Sequence, residues 1–170
     1  MVSQSKPEAS HEPLRPEIGL DRDARKALAE GLAQVLADSY TLLGKTHGFH
    51  WNVTGPQFPG LHPLFEEQYR DLQDAVDEIA ERIRALGHFA PGSLGQFLAR
   101  TAVDDEKGVP AAQDMLKQLA RDNELLARQC RKVVETCDKT DDTVTEDLMN
   151  GRIAFHEKAA WMLRASLDEE

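Results

Sequence analysis

Apolar residues recur at three- and four-residue spacing along four long runs of this chain, and no segment alternates convincingly with a period of two. Leu28, Leu32, Val35, Leu36, Leu42, Leu43 and Phe49 mark a first helix from Asp21 to about His50, which "NVTGPQFPG" breaks. Pro63 suits the first turn of a second helix. Its stripe is Leu64, Phe65, Leu72, Val76, Ile79, Ile83 and Leu86, and Gly87 stops it. Ser93 and Gln96 have capping-box spacing ahead of Phe97 and Leu98, which predicts a short helix inside a long connection. Pro110 opens the third long helix, with Met115, Leu116, Leu119, Leu126, Val133 and Val134 on its stripe. "DKTDDTVTED" separates it from a fourth. There Thr143 and Glu146 again have capping-box spacing, and Leu148, Ile153, Phe155, Ala159, Met162 and Leu163 point inward. The expected fold is all-α, a four-helix bundle with one long crossover.

Length and charge narrow the reading. A chain of 170 residues is long enough for one domain with its own core. Residues 1–20, with Pro7, Pro13 and Pro16 and few apolar side chains, read as a flexible tail, and 21–170 as the domain. The apolar runs are too short to cross a membrane, and "MVSQSKPEASHEPLRP" lacks the apolar stretch of a signal peptide, so the default compartment is cytoplasm. Cys130 and Cys137 fall on one helix face about 10 Å apart, too far to bridge, and read as packing thiols in a reducing compartment. The formal charge of −10 argues against a general nucleic-acid surface and suits a protein that attracts cations.

"THGFHWNVTGPQFPGLHPLFEE", Thr46 to Glu67, holds three of the six histidines. On the second helix His62, Glu66, Asp77 and Glu81 fall within a sector of roughly 100°, so they share a face. Glu66 and Asp77 are nevertheless separated by about 16 Å of helical rise, too far to hold one metal. An antiparallel copy about a twofold axis would bring His62 and Glu66 of one chain opposite Asp77 and Glu81 of the other. His50, folded back by the tight loop, could complete the nitrogen side. The competing reading is a solvated acidic face with ordinary i,i+4 pairs, Glu66 with Arg70 and Glu78 with Arg82. Asp77 and Glu81 do not fit that reading easily, because like charges at this spacing repel and a cation between them relieves the repulsion. Imidazole with carboxylate and no thiolate suits Fe(II), and less selectively Mn, Co or Zn. None of the helical runs carries the Glu-x-x-His of an intrachain di-iron bundle or the His-Glu-x-x-His of a zinc protease.

The run "HGFHWNVTGPQFPGLHPLFEEQYRDLQDAVDEIAERIRALG" closely resembles the Dps family, the mini-ferritins, through "HWNVTGPQF", "LHPLFEE" and "VDEIAERI". Similarity continues through "DDTVTEDLM" and "HEKAAWMLR" and covers nearly all of the chain from about residue 22 to 167. The resemblance implies a ferritin-like bundle and a dodecameric hollow shell built from twofold dimers. It also implies ferroxidase centres at the twofold interfaces, each a mono-iron or di-iron site, with hydrogen peroxide as the preferred oxidant of Fe(II) and a ferric mineral inside. Position by position, it implies His50, His62 and Glu66 as metal ligands from one subunit and Asp77 and Glu81 from its partner. Glu66 stands where the family often has Asp. Trp51 matches the family tryptophan beside the centre, where it could accept an electron or simply pack. Acidic residues near the junction of the last two helices line iron-admitting pores in the family. Asp138, Asp141, Asp142, Glu146 and Asp147 cluster there, with Asp142, Glu146 and Asp147 favoured, and a helix-capping role competes for each.

The remaining aromatic and imidazole side chains carry weaker signals. His47, one turn before His50, could serve as an outer-shell partner; His88 reads as a helix end, His156 as a helix surface and Trp161 as core. The family name also raises a nucleoid-associated, DNA-compacting role. Here the first 20 residues hold only Lys6 and Arg15 against Glu8, Glu12 and Glu17, and the C-terminus "SLDEE" is acidic, so DNA binding is expected to be weak or absent.

Overall fold

The computed structural model describes residues 14–168. Helix α1 spans Arg22–Asn52, α2 Phe58–Ala85, α3 Leu94–Arg100, α4 Ala112–Thr140 and α5 Thr143–Ala165. No strand occurs among the described residues. Four long helices with a short one in the crossover is the architecture that the apolar periodicity predicts.

Each end has a local cause. The Asp21 carboxylate accepts from the Ala24 N–H at 2.8 Å and starts α1. Gly87, at φ 90°, ends α2, with its N–H bonded to the Arg84 carbonyl and the His88 N–H to the Ile83 carbonyl. Ser93 and Gln96 form the capping box of α3. Between α4 and α5 the chain needs only Asp141, in the left-handed region at φ 56°, and Asp142.

Two expected starts are corrected. The second long helix begins at Phe58, and Pro63 lies inside it. The Phe58 N–H bonds to Gly55 and the N–H groups of Gly60 and Leu61 bond to Gln57, so the loop itself nucleates the first turn. The last helix is capped by Asp142, whose side chain accepts from the Thr145 N–H, leaving Thr143 as its first residue.

Buried side chains form two clusters. One joins Leu28, Leu32 and Leu36 to Ile79, Ile83 and Val133. The other joins Leu42 and Phe49 to Phe65, Leu116, Leu126 and Leu163. Low α1 numbers thus meet high α2 and α4 numbers, so α1 runs antiparallel to both. Arg82 meets Asp142, Asp71 meets Arg152 and Gln57 meets Ser166, which makes α2 and α5 antiparallel as well. Cys130 and Cys137 are buried free thiols, and burial pushes them up to about 12 and about 11, which keeps them inert.

The crossover is pinned to α1. The buried Asp38 carboxylate accepts from the Ala102 N–H at 2.6 Å and from the Thr101 hydroxyl at 3.1 Å. Of residues 1–20, 1–13 lie outside the described residues; 14–20 carry no helix, and Leu14 and Pro16 cross over Gly87.

Candidate metal centre

The loop between α1 and α2 is short, so the end of one helix lies against the start of the next. His50 in the last turn of α1 and His62 in the second turn of α2 clasp each other there. His50 Nδ1 donates to the His62 carbonyl at 2.8 Å, and His62 Nδ1 donates to the His50 carbonyl at 2.9 Å. The rings stack with centroids 3.8 Å apart. A carbonyl oxygen can only accept, so each Nδ1 carries a proton, and in the neutral ring that leaves the Nε2 lone pair for a metal. A second bond that fixes tautomer and ring orientation is what metal-ligating histidines require. The donor set therefore fits a borderline divalent ion such as Fe(II).

An aromatic shelf supports the pair. Tyr69, on α2, meets His50 edge-on at 5.2 Å and stacks on His47 at 4.1 Å; Phe58 lies 5.0 Å from His62. Trp51 is 65% exposed and touches His47, at 4.2 Å, so its indole reaches the pair through that ring. Helical phase placed His47 near His50, but only the fold brings in Tyr69.

Glu66 follows His62 by one turn on the same face and is ion-paired with Arg70, as the i,i+4 spacing predicts. Asp77 and Glu81 are exposed further along α2, and Asp77 lines an open groove with Leu36, Tyr40, Asp74, Glu78 and Phe97. Among the described residues, no three His, Cys, Asp or Glu side chains of one chain gather into a metal-holding group. His50 and His62 come together, Glu66 lies within a turn, and Asp77 and Glu81 do not join them within one subunit.

Other expectations change. Arg82 does not pair with Glu78; its guanidinium forks onto Asp142 at 2.8 and 2.9 Å and donates to the Thr145 hydroxyl at 2.8 Å. Asp142 is 4% exposed and committed to that contact, so of the pore candidates Glu146, half-buried, and Asp147, exposed, stand at the start of α5. Trp161 is 66% exposed instead of core, and His156 is fully buried instead of surface, with Nδ1 donating to Asn123 Oδ1 at 2.8 Å. The phase of α5 carried that signal: Met149, Arg152, His156, Ala159, Ala160 and Leu163 share the inward face. His88 lies just past α2, as expected.

Comparison with known proteins gives a consistent picture. Residues 29–170 match the model of the ferritin-like domain. An uncharacterised low temperature-induced protein of Nostoc is 42% identical over 156 residues, covering 91% of this chain and 87% of that protein. The DNA protection during starvation protein 2 of Bacillus anthracis is 37% identical over 144 residues, covering 85% of this chain and 99% of that protein. The crystal structure of a Dps protein from Vibrio cholerae O1, described as a member of a broad superfamily of ferritin-like diiron-carboxylate proteins, superposes with a TM-score of 0.85 at 33% identity. The match covers 92% of this chain and 98% of that one.

Proposed function

The chain belongs to the Dps family of ferritin-like proteins, and from that premise we propose that it is a mini-ferritin that oxidises Fe(II). Hydrogen peroxide is the preferred oxidant, and the ferric product is stored in a dodecameric shell. The observation that carries this reading is the crossed His50–His62 pair, whose Nδ1–H tautomers leave two Nε2 donors for a metal.

His50, His62 and Glu66 hold the substrate iron from one side, and Asp77 and Glu81 of the partner subunit close the site from the other. The helical rise of about 16 Å between Glu66 and Asp77 forbids closure within one chain, whereas an antiparallel copy about a twofold axis brings the halves face to face. Cation binding also relieves the repulsion of Asp77 and Glu81 at i,i+4. The carboxylates hold both oxidation states, and their negative charge favours the ferric product. Two Fe(II) ions each give one electron to one hydrogen peroxide, which takes up two protons and leaves as two waters. Consuming both reactants together removes the source of hydroxyl radical. Glu146 and Asp147 are the proposed lining of the iron path into the shell.

Some relatives are named for DNA protection. In this chain the protection proposed is chemical, because a formal charge of −10 per subunit opposes phosphate contact. The test is the double variant His50→Ala/Glu81→Gln. It is expected to assemble as wild type and lose rapid Fe(II) oxidation; oxidation at the wild-type rate would refute the assignment.

A further inference from the structure

The middle of the bundle is polar where a core of this size is usually apolar. Thr46 of α1, Gln68 of α2, Asn123 of α4 and His156 of α5 are all buried, at 0%, 4%, 2% and 0% exposure. Three cross-links place them at one level. Lys45 pairs with Asp122, so their neighbours Thr46 and Asn123 lie within about 3 Å of one height on antiparallel α1 and α4. Asn123 accepts from His156 Nδ1. Arg152 donates to Asp71 at 2.6 Å, and one turn back along α2 and forward along antiparallel α5 come Gln68 and His156. Each long helix thus contributes one residue to a single layer, one turn, or about 6 Å along α1, from His50.

Hydrogen bonding in this layer is incomplete within the chain. Asn123 Nδ2 donates to the Leu119 carbonyl at 2.8 Å, which fixes Oδ1 as the acceptor facing His156. His156 therefore carries its proton on Nδ1, and Nε2 is a bare acceptor. That Nε2, Thr46 Oγ1, both amide atoms of Gln68, and Nε and Nη2 of Arg152 find no hydrogen-bonding partner among the described residues. Buried polar atoms in native proteins are almost always satisfied, so a group of them calls for a ligand.

We propose that this layer is an internal binding site for water-sized, neutral, hydrogen-bonding molecules, with water resident and hydrogen peroxide able to compete on the same chemistry. The atoms themselves select that class. Arg152 and the Gln68 amide nitrogen donate, His156 Nε2 and Gln68 Oε1 accept, and Thr46 does either. A cation would face the Arg152 guanidinium, whose Asp71 carboxylate is already engaged. An anion would meet the bare lone pair of His156. Molecules with both O–H and lone pairs can answer donors and acceptors alike, and because a buried water typically makes about three such bonds, the six atoms call for more than one water. Burial first, and then Arg152, hold the His156 imidazole well below its usual range, which preserves the acceptor.

The test is a high-resolution crystal structure of the full-length assembled protein from plain buffer, from a hydrogen peroxide soak and from a bromide soak. The expected result is discrete density within hydrogen-bonding reach of His156 Nε2 and Gln68. Density that lengthens to a two-atom molecule in the peroxide soak supports the proposal, and density unchanged from plain buffer would overturn its peroxide part while leaving a water site. A bromide anomalous peak in the layer would overturn its neutral character. Side chains closed directly onto one another, with no density between, would overturn the site itself. Gln68→Met, close in length but without the amide, is expected to lose the density while keeping helix content and assembly size; density that persists unaltered would also contradict the proposal.

Discussion

Arg82, in the last turn of α2, forks onto the carboxylate of Asp142, the cap of α5, at 2.8 and 2.9 Å. One contact therefore closes the end of the bundle away from the histidine pair and starts the last helix. Asp142→Ala removes the cap and leaves a largely buried guanidinium without its partner, at an expected cost of ~3 kcal/mol. Asp142→Asn keeps a capping oxygen and should fall between wild type and Ala. Thermal unfolding of the two variants checks the order; an Asn variant no better than Ala would remove the capping part of the account.

The same contact predicts an acid response. Burial raises the Asp142 carboxyl, but the Thr145 and Arg82 hydrogen bonds outweigh it and hold the group below its ordinary value. A carboxyl depressed in the folded state contributes stability that is complete above pH about 4 and is lost as pH falls through the folded value. Unfolding midpoints measured down the acid range should converge for wild type and Asp142→Asn. A gap of constant size at all pH values would contradict the linkage.

Two glycines should respond in opposite directions. Gly87 has φ 90°, and a Cβ there would meet the Leu14 carbonyl oxygen at 2.5 Å and Pro16 Cδ at 2.7 Å. Gly87→Ala is expected to destabilise by ~2 kcal/mol or more. Gly44 lies within α1 with nothing near its Cβ position, and Gly44→Ala should stabilise by about 0.5–1 kcal/mol. Denaturant midpoints of both variants settle the comparison.

Much of the architecture was legible because buried helices impose a period on their sequence. Leu28, Leu32 and Leu36, then Ile79 and Ile83, then Leu116 and Leu119 all fall where that period puts them. Helix starts were harder to read. Capping depends on backbone turns, so α2 begins at Phe58, ahead of Pro63, and Asp142 rather than Thr143 caps α5. Of the site, spacing yielded the shared face of His62, Glu66, Asp77 and Glu81. It could not show that His50 and His62 bond to each other's carbonyls, because that needs the loop's path. Tyr69 on His47, and the Thr46–Gln68–Asn123–His156 layer, depend on contacts between helices, which no single helix pattern contains. Trp161 shows the opposite case: its size suggests core, but its phase on α5 sets it outside the buried face of Met149, His156, Ala159 and Leu163.

A site shared across a twofold axis makes a quantitative prediction for mixed assemblies. His62→Ala and Glu81→Gln, each inactive alone, disable opposite halves of every centre. In a mixed dimer one of the two centres is then wholly wild type, so random co-assembly at equal amounts should restore about a quarter of the wild-type rate. No recovery in verified mixed assemblies would mean that both residues serve the same half.

DNA binding should fail on charge. In a gel shift at low salt without divalent cations, linear DNA is expected to run at its free position across the protein titration, because −10 per subunit repels phosphate. Retarded DNA under those conditions would restore the compaction reading.

The most direct measurement loads the purified, metal-free protein anaerobically with Fe(II), adds one peroxide per two irons and follows ferric absorbance and peroxide together. The account predicts rapid oxidation saturating at about two irons per intersubunit centre, with peroxide consumed in step. Oxidation no faster than in buffer, with peroxide left over, would contradict it.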